Sequence, residues 1–233
     1  MDATAYAALD CRDIVMKSPS TCKDNRQYRY EATGFYIRPE YSVIERWIPE
    51  GSHIIDLGCG NGSLMQYLIT RKMVVAEGIE RAASGVAFCG QNGLKARRAE
   101  IDVHETYANY ARDVFDFAIC NVTLHMVMYP EILVEQMARI ARYLVLSFPN
   151  FGHVLNRFEM LVTGRMPRPQ LFGYHWFNTG QIHQLGLRDF ADFCHRCSLE
   201  IVHQQHMGRP QPLPRLAPSL FSRTSIYLCR KRS

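Results

Sequence analysis

The sequence has 233 residues, of which 47% are hydrophobic, and it carries a formal net charge of +5 at pH 7. This length and apolar content suffice for a single α/β domain with a full core, and no apolar run reaches the roughly 18 residues that span a bilayer. Asp2 stands where a signal peptide carries basic residues, and no apolar segment follows it, so the pattern predicts a cytoplasmic protein.

The cysteines and the basic residues point to no metal centre and no nucleic-acid site. The eight cysteines are scattered, several of them in apolar runs, which is typical of reduced core residues. Cys194 and Cys197 form a single C-x-x-C without a second pair, so we predict that they pack rather than bind a metal. Basic residues concentrate in 157–168, 209–215 and 230–232 without an RNA-binding signature. A small anionic substrate or an acidic partner surface fits them at least as well.

The N-terminal part is predicted to form an arm or lid, 1–36, ahead of one domain, 37–233. Its last third carries an aromatic cluster, which either folds over a ligand loop or packs on the sheet edge. The cluster consists of Tyr28, Tyr30, Phe35 and Tyr36. Pro39 then begins a helix, because proline is favoured in a first helical turn.

From residue 53 onward, strands alternate with helices. The predicted strands are 53–57, 73–79, 94–98, 115–120 and 143–148, and the predicted helices between them are 63–71, 82–92 and 131–141. This alternation predicts an α/β fold with a doubly wound, mostly parallel sheet.

After the fifth strand the regular pattern stops. Residues 149–180 are predicted to be a long irregular loop that carries function, and a helix follows at 187–197. The last strands, 199–203 and 225–229, are joined by a proline-rich loop without a helix, so they should pair antiparallel. Five parallel strands and a terminal antiparallel hairpin resemble the seven-stranded sheet of class I methyltransferases, which is Rossmann-like.

A glycine loop follows the first strand, with Gly58, Gly60 and Gly62 at alternate positions. Glycine is needed where φ is positive or where a ligand approaches the backbone, and the next helix offers unpaired N–H groups. A P-loop would need a lysine before Ser63, and the dinucleotide fingerprint has a different glycine spacing. An NAD enzyme remains an alternative. Asp56 and the three glycines resemble the S-adenosylmethionine (SAM) loop of class I methyltransferases.

That resemblance implies further cofactor-binding residues. Glu80 lies 20 residues after Gly60, at the end of the second strand, where a carboxylate can accept both ribose hydroxyls. Glu100 would accept from the adenine amino group, with Asp102 as the alternative acid. The complete predicted SAM set is Arg38, Asp56, Gly58, Cys59, Gly60, Glu80, Glu100, Ile101 and Asn121. Within it Ile101 would flank the adenine, Asn121 would line the methionine end, and Arg38 would meet the SAM carboxylate.

Several segments are similar to one family in particular, the MetW proteins of methionine biosynthesis. The matching segments are 37–62, 147–153, 164–167, 174–179, 182–183 and 188–190. The resemblance implies an association with homoserine O-acyltransferase, and methyl transfer is not established for that family. The sequence departs from the family pattern at Asn178, at Gly180-Gln181 and at Gly186, where glycine is a tolerable N-cap.

Methyl transfer from SAM needs an acceptor held in line and water excluded, with a base only for a hydroxyl or a protonated amine. The candidate base or substrate-contact residues are His125, His153, Tyr174, His175 and His183. The first predicted function is SAM-dependent methylation of oxygen or nitrogen in a small-molecule acceptor, with S-adenosylhomocysteine as the product.

The alternative is a MetW-like, SAM-binding regulatory partner of homoserine O-acyltransferase that has no turnover of its own. This alternative predicts a broad contact surface on the protein. That surface would contain Phe151, Phe172, Tyr174 and Trp176.

Overall fold

The computed structural model describes residues 34–167, 176, 179–209 and 211–232. In chain order the helices and strands are α1 (Tyr41–Trp47), β1 (His53–Leu57), α2 (Ser63–Lys72), β2 (Val75–Glu80), α3 (Ala83–Gln91), β3 (Lys95–Arg98), β4 (Phe115–Cys120), α4 (Pro130–Ile140), β5 (Ala141–Pro149), α5 (Val154–Thr163), α6 (Leu187–Arg196), β6 (Leu199–Met207), α7 (Leu213–Leu216), α8 (Pro218–Phe221) and β7 (Thr224–Lys231). Two short 3₁₀ turns, His104–Tyr107 and Leu124–Met126, lie on either side of β4.

All seven strands belong to one sheet, in the order β3-β2-β1-β4-β5-β7-β6. The first five strands pair in parallel, and β7 pairs antiparallel with both β5 and β6. The predicted sheet with its terminal antiparallel hairpin is therefore confirmed. In a parallel sheet the carboxyl ends of the strands share one edge, and ligands bind there in open α/β folds.

Two apolar layers cover the faces of the sheet. On one face α4 and α6 pack against the strands through Leu133, Met137 and Phe190. On the other face α1 and α2 pack through Ile44 and Leu68. The strands between them are buried on both sides, which explains why they appear in the sequence as continuous apolar runs.

Some predicted boundaries were wrong for identifiable reasons. Strand β2 begins at Val75 rather than at 73, because Met73 ends α2 with a left-handed φ of 51° and so cannot extend the ladder. Strand β5 begins at Ala141, directly after α4, without an intervening loop. The proline-rich segment contains two single-turn helices, α7 and α8.

The prediction that 149–180 is irregular throughout was also wrong. Helix α5 occupies Val154–Thr163 within it. His153 caps its first turn, and Gly164 ends it with a left-handed φ of 63°.

The predicted cysteine pair at the end of α6 is packed into the fold. Cys194 is buried in the core beside Cys229, and the half-buried Cys197 packs against the same layer. Among the residues that the structure describes, no helix is long and apolar enough to cross a membrane.

Candidate functional site

The glycine loop connects β1 to α2 at the carboxyl edge of the sheet. Gly58, Gly60 and Gly62 all have a positive φ, of 80°, 58° and 77°. A Cβ on Gly58 would lie 2.6 Å from Cγ2 of Thr123, so this position also requires glycine for close packing. The Gly58 N–H donates to the Ile79 carbonyl over 2.8 Å, which ties the loop to β2. The loop is therefore a turn that is fixed by its backbone conformation and by its bond to β2.

Glu80 ends β2 directly beside this loop. Its Oε2 accepts the Gly60 N–H at 2.9 Å, and its Oε1 accepts the Ala82 N–H at 2.7 Å. A carboxylate has about four acceptor sites, so each oxygen can still accept a hydroxyl. The structure thus brings Glu80 to the loop, and its role toward a ribose stays a prediction.

Asp56, at the end of β1, is the most deeply buried acid of the predicted set. It is 3% exposed. Burial first, and the neighbouring Glu80 charge second, raise the pKa of Asp56 to about 7. An acid in this state can change its protonation when a cationic ligand arrives.

The side chain of Cys59, also in the loop, packs in the core and does not line the loop as a polar ligand would. It packs against Met65 and Cys89, and the contact with Cys89, followed by burial, raises the pKa of the Cys59 thiol. Its side chain therefore supports the loop as a neutral core residue.

Residues 34–36, which we name the strap, cross over the glycine loop. The Asn61 side chain donates to the Gly34 carbonyl at 2.6 Å, and the Tyr36 N–H donates to Oγ of Ser63 at 3.2 Å. The Phe35 ring packs edge-on against Phe88 of α3, with 5.3 Å between ring centroids.

Of the two predicted positions for the aromatic cluster, neither describes it completely, because the backbone of residues 34 and 36 bonds to the loop whereas the Phe35 ring packs on α3. Tyr28 and Tyr30 lie outside the described residues. The role of Asn61 was not predicted, although its place between two loop glycines was the available signal.

Arg38 and Glu40 follow the strap. The Arg38 guanidinium lies 5.3 Å from the centre of the Tyr36 ring, and its Nη2 donates to the Tyr36 hydroxyl at 3.3 Å. Glu40 is 9% exposed, and its Oε2 has no hydrogen-bond partner among the described residues. Glu40 is a site residue that was not predicted, because an acid after Pro39 is a common feature of helix starts.

The acids that follow β3 separate into two roles. Oδ2 of Asp102 accepts from the backbone N–H groups of Met128 and Tyr129, at 2.9 and 3.3 Å, so Asp102 anchors the chain after β4. Glu100 is half-buried and stays the predicted adenine ligand. Ile101 is 7% exposed and packs mainly into the core, which leaves only its edge for a ring contact.

The end of β4 is a strained turn. Asn121 Oδ1 accepts from the Ser147 hydroxyl at 2.6 Å, and the next residue, Val122, has a φ of 54°. A β-branched residue in this region costs roughly 1–3 kcal/mol and persists only where surrounding contacts enforce it. Here the Val122 N–H is held by Oγ of Ser147 at 2.8 Å. Asn121 is therefore held in place beside the loop.

The predicted catalytic histidines are not equivalent. His153 caps α5, because its Nδ1 accepts from the Leu155 N–H at 3.2 Å, and burial lowers the pKa of its imidazole. This capping role accounts for His153 without a substrate contact. Tyr174 and His175 lie outside the described residues.

His125 and His183 come together beyond β4. His125 is 2% exposed, and its carbonyl accepts from the N–H groups of Ile182 and His183, each at 3.0 Å. Nε2 of His183 is buried and has no hydrogen-bond partner among the described residues. Among the predicted histidines that the structure describes, His183 thus keeps a ring nitrogen for which no described residue is a partner.

A separate feature lies on α5, where one stripe of the helix is apolar and exposed. We name this stripe the α5 ridge: Leu155, Phe158, Leu161 and Val162, which are 48%, 63%, 84% and 64% exposed. These positions fall on one side of a helix, and Asn156 on the opposite side is buried. Trp176 is 73% exposed, Phe151 is half-buried, and the other predicted surface residues, Phe172 and Tyr174, lie outside the described part of the chain.

Comparison with known proteins decides the family. Residues 38–229 match the family described as methionine biosynthesis protein MetW. The chain belongs to the MetW family. A bifunctional methionine biosynthesis protein MetXA/MetW from Rhodopirellula baltica is 35% identical to this MetW chain over 147 residues. The matched segment covers 60% of the MetW chain. The MetW chain spans only 23% of that bifunctional relative.

Solved structures match the fold of this MetW protein. A SAM-dependent methyltransferase from Mesorhizobium loti has a TM-score of 0.59 at 15% identity, covering 82% of this chain and 97% of that one. A SAM-dependent methyltransferase from Archaeoglobus fulgidus has a TM-score of 0.60 at 11% identity, with 82% and 92% covered. The fold is therefore that of class I methyltransferases.

Proposed function

We propose that this MetW protein binds SAM at the glycine loop and acts as a regulatory partner of homoserine O-acyltransferase, which docks on the α5 ridge. The observation that carries the docking part is the ridge itself, with Phe158 and Leu161 63% and 84% exposed. Scattered exposed apolar residues are ordinary, but a contiguous apolar stripe is typical of an interaction site. The bifunctional relative supports the choice of partner, because it combines a MetXA part and a MetW part in one protein.

The fit of the loop to SAM rests on the groups that line it. The backbone of the three glycines allows close approach of the ligand, and Glu80 retains acceptor sites for ribose hydroxyls. Glu100, which follows β3, would accept from the adenine amino group. When SAM is bound, its sulfonium supplies an electrophilic methyl group. The chain's own residues would bind and orient SAM through these contacts.

The docking proposal is tested by mixing purified MetW with purified homoserine O-acyltransferase and measuring affinity and acyltransferase rate. Phe158→Ser with Leu161→Ser should weaken binding about tenfold or more, because both side chains lose apolar contact area. The matched control is Met73→Ser, since Met73 is 69% exposed between α2 and β2, at the edge of the sheet opposite to α5. Equal affinity of the ridge variant and the wild type would overturn the docking site.

A second candidate is methyl transfer to a small acceptor. His183 favours it, because its Nε2 is buried and has no hydrogen-bond partner in the described part of the chain. An imidazole in this position can accept a proton from a hydroxyl or an amine. Incubation of the protein with labelled SAM and a panel of small hydroxy and amino metabolites tests it. Label transfer that is lost in His183→Ala and partly kept in His183→Gln supports the enzyme, and absence of transfer under single-turnover conditions refutes it.

A further inference from the structure

Glu40 is a buried acid without a described partner. Its side chain is 9% exposed, and its Oε2 makes no hydrogen bond to any described residue. Taking an ionised carboxylate out of water without a compensating contact is costly. Such a group persists where a ligand supplies the missing contact, so Glu40 calls for an explanation.

The surroundings of Glu40 belong to the glycine-loop site. Two residues earlier, Arg38 is held by the Tyr36 hydroxyl, and the strap that contains Tyr36 bonds to Ser63 directly after the loop. Burial is the first cause that raises the pKa of the Tyr41 hydroxyl. The charges of Asp56 and Glu40 raise it further, and the charge of Arg38 lowers it. One buried hydroxyl thus lies among Arg38, Glu40 and Asp56.

The charges of Arg38 and Glu40 are complementary to an amino-acid group. The two residues lie just before α1, where one offers a guanidinium and the other a carboxylate. The methionine part of SAM and of S-adenosylhomocysteine carries an ammonium and a carboxylate on one carbon atom. A carboxylate is a strong acceptor for an ammonium, and a guanidinium is a strong donor to a carboxylate.

Other acids are less suited to the ammonium. Glu80 already accepts two backbone N–H groups, from Gly60 and Ala82. Asp56 is 3% exposed, and its pKa of about 7 leaves it partly protonated at neutral pH. Glu40 therefore has the acceptor atom that most needs a cationic partner.

Resting on the SAM binding proposed above, we infer that Glu40 accepts the ammonium group of the methionine part of SAM, with Arg38 binding its carboxylate. This contact selects ligands that keep the amino-acid group over nucleosides that lack it.

Calorimetric titration of the full chain tests the Glu40 contact with two ligands. S-adenosylhomocysteine carries the amino-acid group, and 5′-methylthioadenosine lacks it. Glu40→Gln should weaken S-adenosylhomocysteine binding about tenfold or more, because a charge-assisted hydrogen bond is lost, and should leave methylthioadenosine binding unchanged. Glu50→Gln is the matched control, since Glu50 is an exposed acid just beyond α1.

Thermal unfolding without ligand separates this contact from a structural role. Glu40→Gln should be at least as stable as the wild type, because an amide replaces an unpaired buried carboxylate. A lower Tm of the free variant with equal losses for both ligands would assign Glu40 to the fold and overturn the inference. Unchanged affinity of Glu40→Gln for S-adenosylhomocysteine would also overturn it. If the wild type binds neither ligand, the proposed SAM binding fails as well.

Arg38 is tested with decarboxylated SAM, which keeps the ammonium and lacks the carboxylate. Arg38→Met should weaken SAM binding and leave decarboxylated SAM unaffected. Equal losses of affinity for the two ligands would show that Arg38 does not bind the carboxylate.

Discussion

At the scale of single residues, four buried acids near the carboxyl edge of the sheet differ in what compensates their charge. Glu80 and Asp102 accept backbone N–H groups, which stabilise an ionised carboxylate. Asp56 has a pKa raised to about 7 by burial and by Glu80, and Oε2 of Glu40 has no hydrogen-bond partner among the residues that the structure describes. The two acids with backbone partners organise the site, whereas the other two can respond to a ligand.

Asp56 should make the stability of the free protein depend on pH. Its folded pKa of about 7 lies above its unfolded value of 3.8, so the folded state binds the proton more tightly. The free energy of unfolding therefore falls as pH rises from about 4 to about 7, and this loss levels off above pH 7.

Asp56→Asn should remove that contribution and raise stability at pH 8 by an amount on the order of a few kcal/mol. Urea unfolding of both proteins across this pH range measures it. All other titrating groups are shared, so parallel pH profiles of the two proteins would show that Asp56 is not the cause.

Glu80 should be needed for ligand affinity more than for folding. Glu80→Gln keeps one backbone acceptor and loses the charge, so we expect S-adenosylhomocysteine binding to fall about tenfold to a hundredfold. Glu77→Gln on the same strand is the control, because Glu77 pairs with Lys95 away from the loop. If both variants bind the ligand like the wild type, Glu80 has no part in the site.

Residue roles could be predicted from the sequence where spacing alone encodes the geometry. The three glycines, Asp56 and Glu80 have fixed offsets from strand ends, so their meeting at one edge follows from the parallel sheet. The bonds of the strap to Asn61 and Ser63 join residues 27 positions apart, and no local pattern in the sequence encodes such a contact. His153 was predicted as a base and caps α5 in the structure. The cap could not be predicted, because α5 itself was not expected.

At the scale of elements, helix α5 is the main departure of the structure from the prediction, because it lies in the segment that was predicted to be a loop. Its apolar residues recur at helical spacing, as in Leu155, Phe158 and Val162, but prolines and glycines on both sides made the whole segment resemble a loop. An apolar stripe usually identifies the buried face of a helix. In α5 the stripe is exposed, so neither the helix nor its surface could be placed from periodicity alone.

The capping bond of His153 should stabilise α5. His153→Ala leaves the Leu155 N–H without its side-chain acceptor, so the variant should be less stable than His153→Asn by about 1 kcal/mol. Asparagine is the comparison because it shortens the side chain and keeps a capping oxygen. Equal urea midpoints for the two variants would show that the cap contributes nothing.

At the scale of the whole molecule, the glycine loop and the start of α5 lie on the same edge of the sheet. The loop follows β1 and α5 follows β5, and these strands are separated only by β4. Two strand spacings amount to about 10 Å. A ligand in the loop and a protein on the α5 ridge are therefore close enough to influence each other through the turn after β4.

Such coupling must be reciprocal. If S-adenosylhomocysteine changes the affinity of this protein for homoserine O-acyltransferase by some factor, the acyltransferase must change S-adenosylhomocysteine affinity by the same factor. We expect a factor of about 5 or more, measured by titrating each ligand with and without the other. Affinities that do not depend on the second ligand would mean that the two sites act independently.

The position of β7 between β5 and β6 determines which part of the sheet can fold first during synthesis. Among the strands of this sheet β7 is translated last, so the edges of β5 and β6 that it covers stay unpaired until then. Strands β1 to β4 can pair with one another earlier. The half of the sheet that holds the glycine loop can thus assemble during synthesis, and the half that supports α5 closes last. A nascent chain interrupted before residue 224 would leave unpaired the edges of β5 and β6 that β7 covers, and unpaired strand edges favour aggregation.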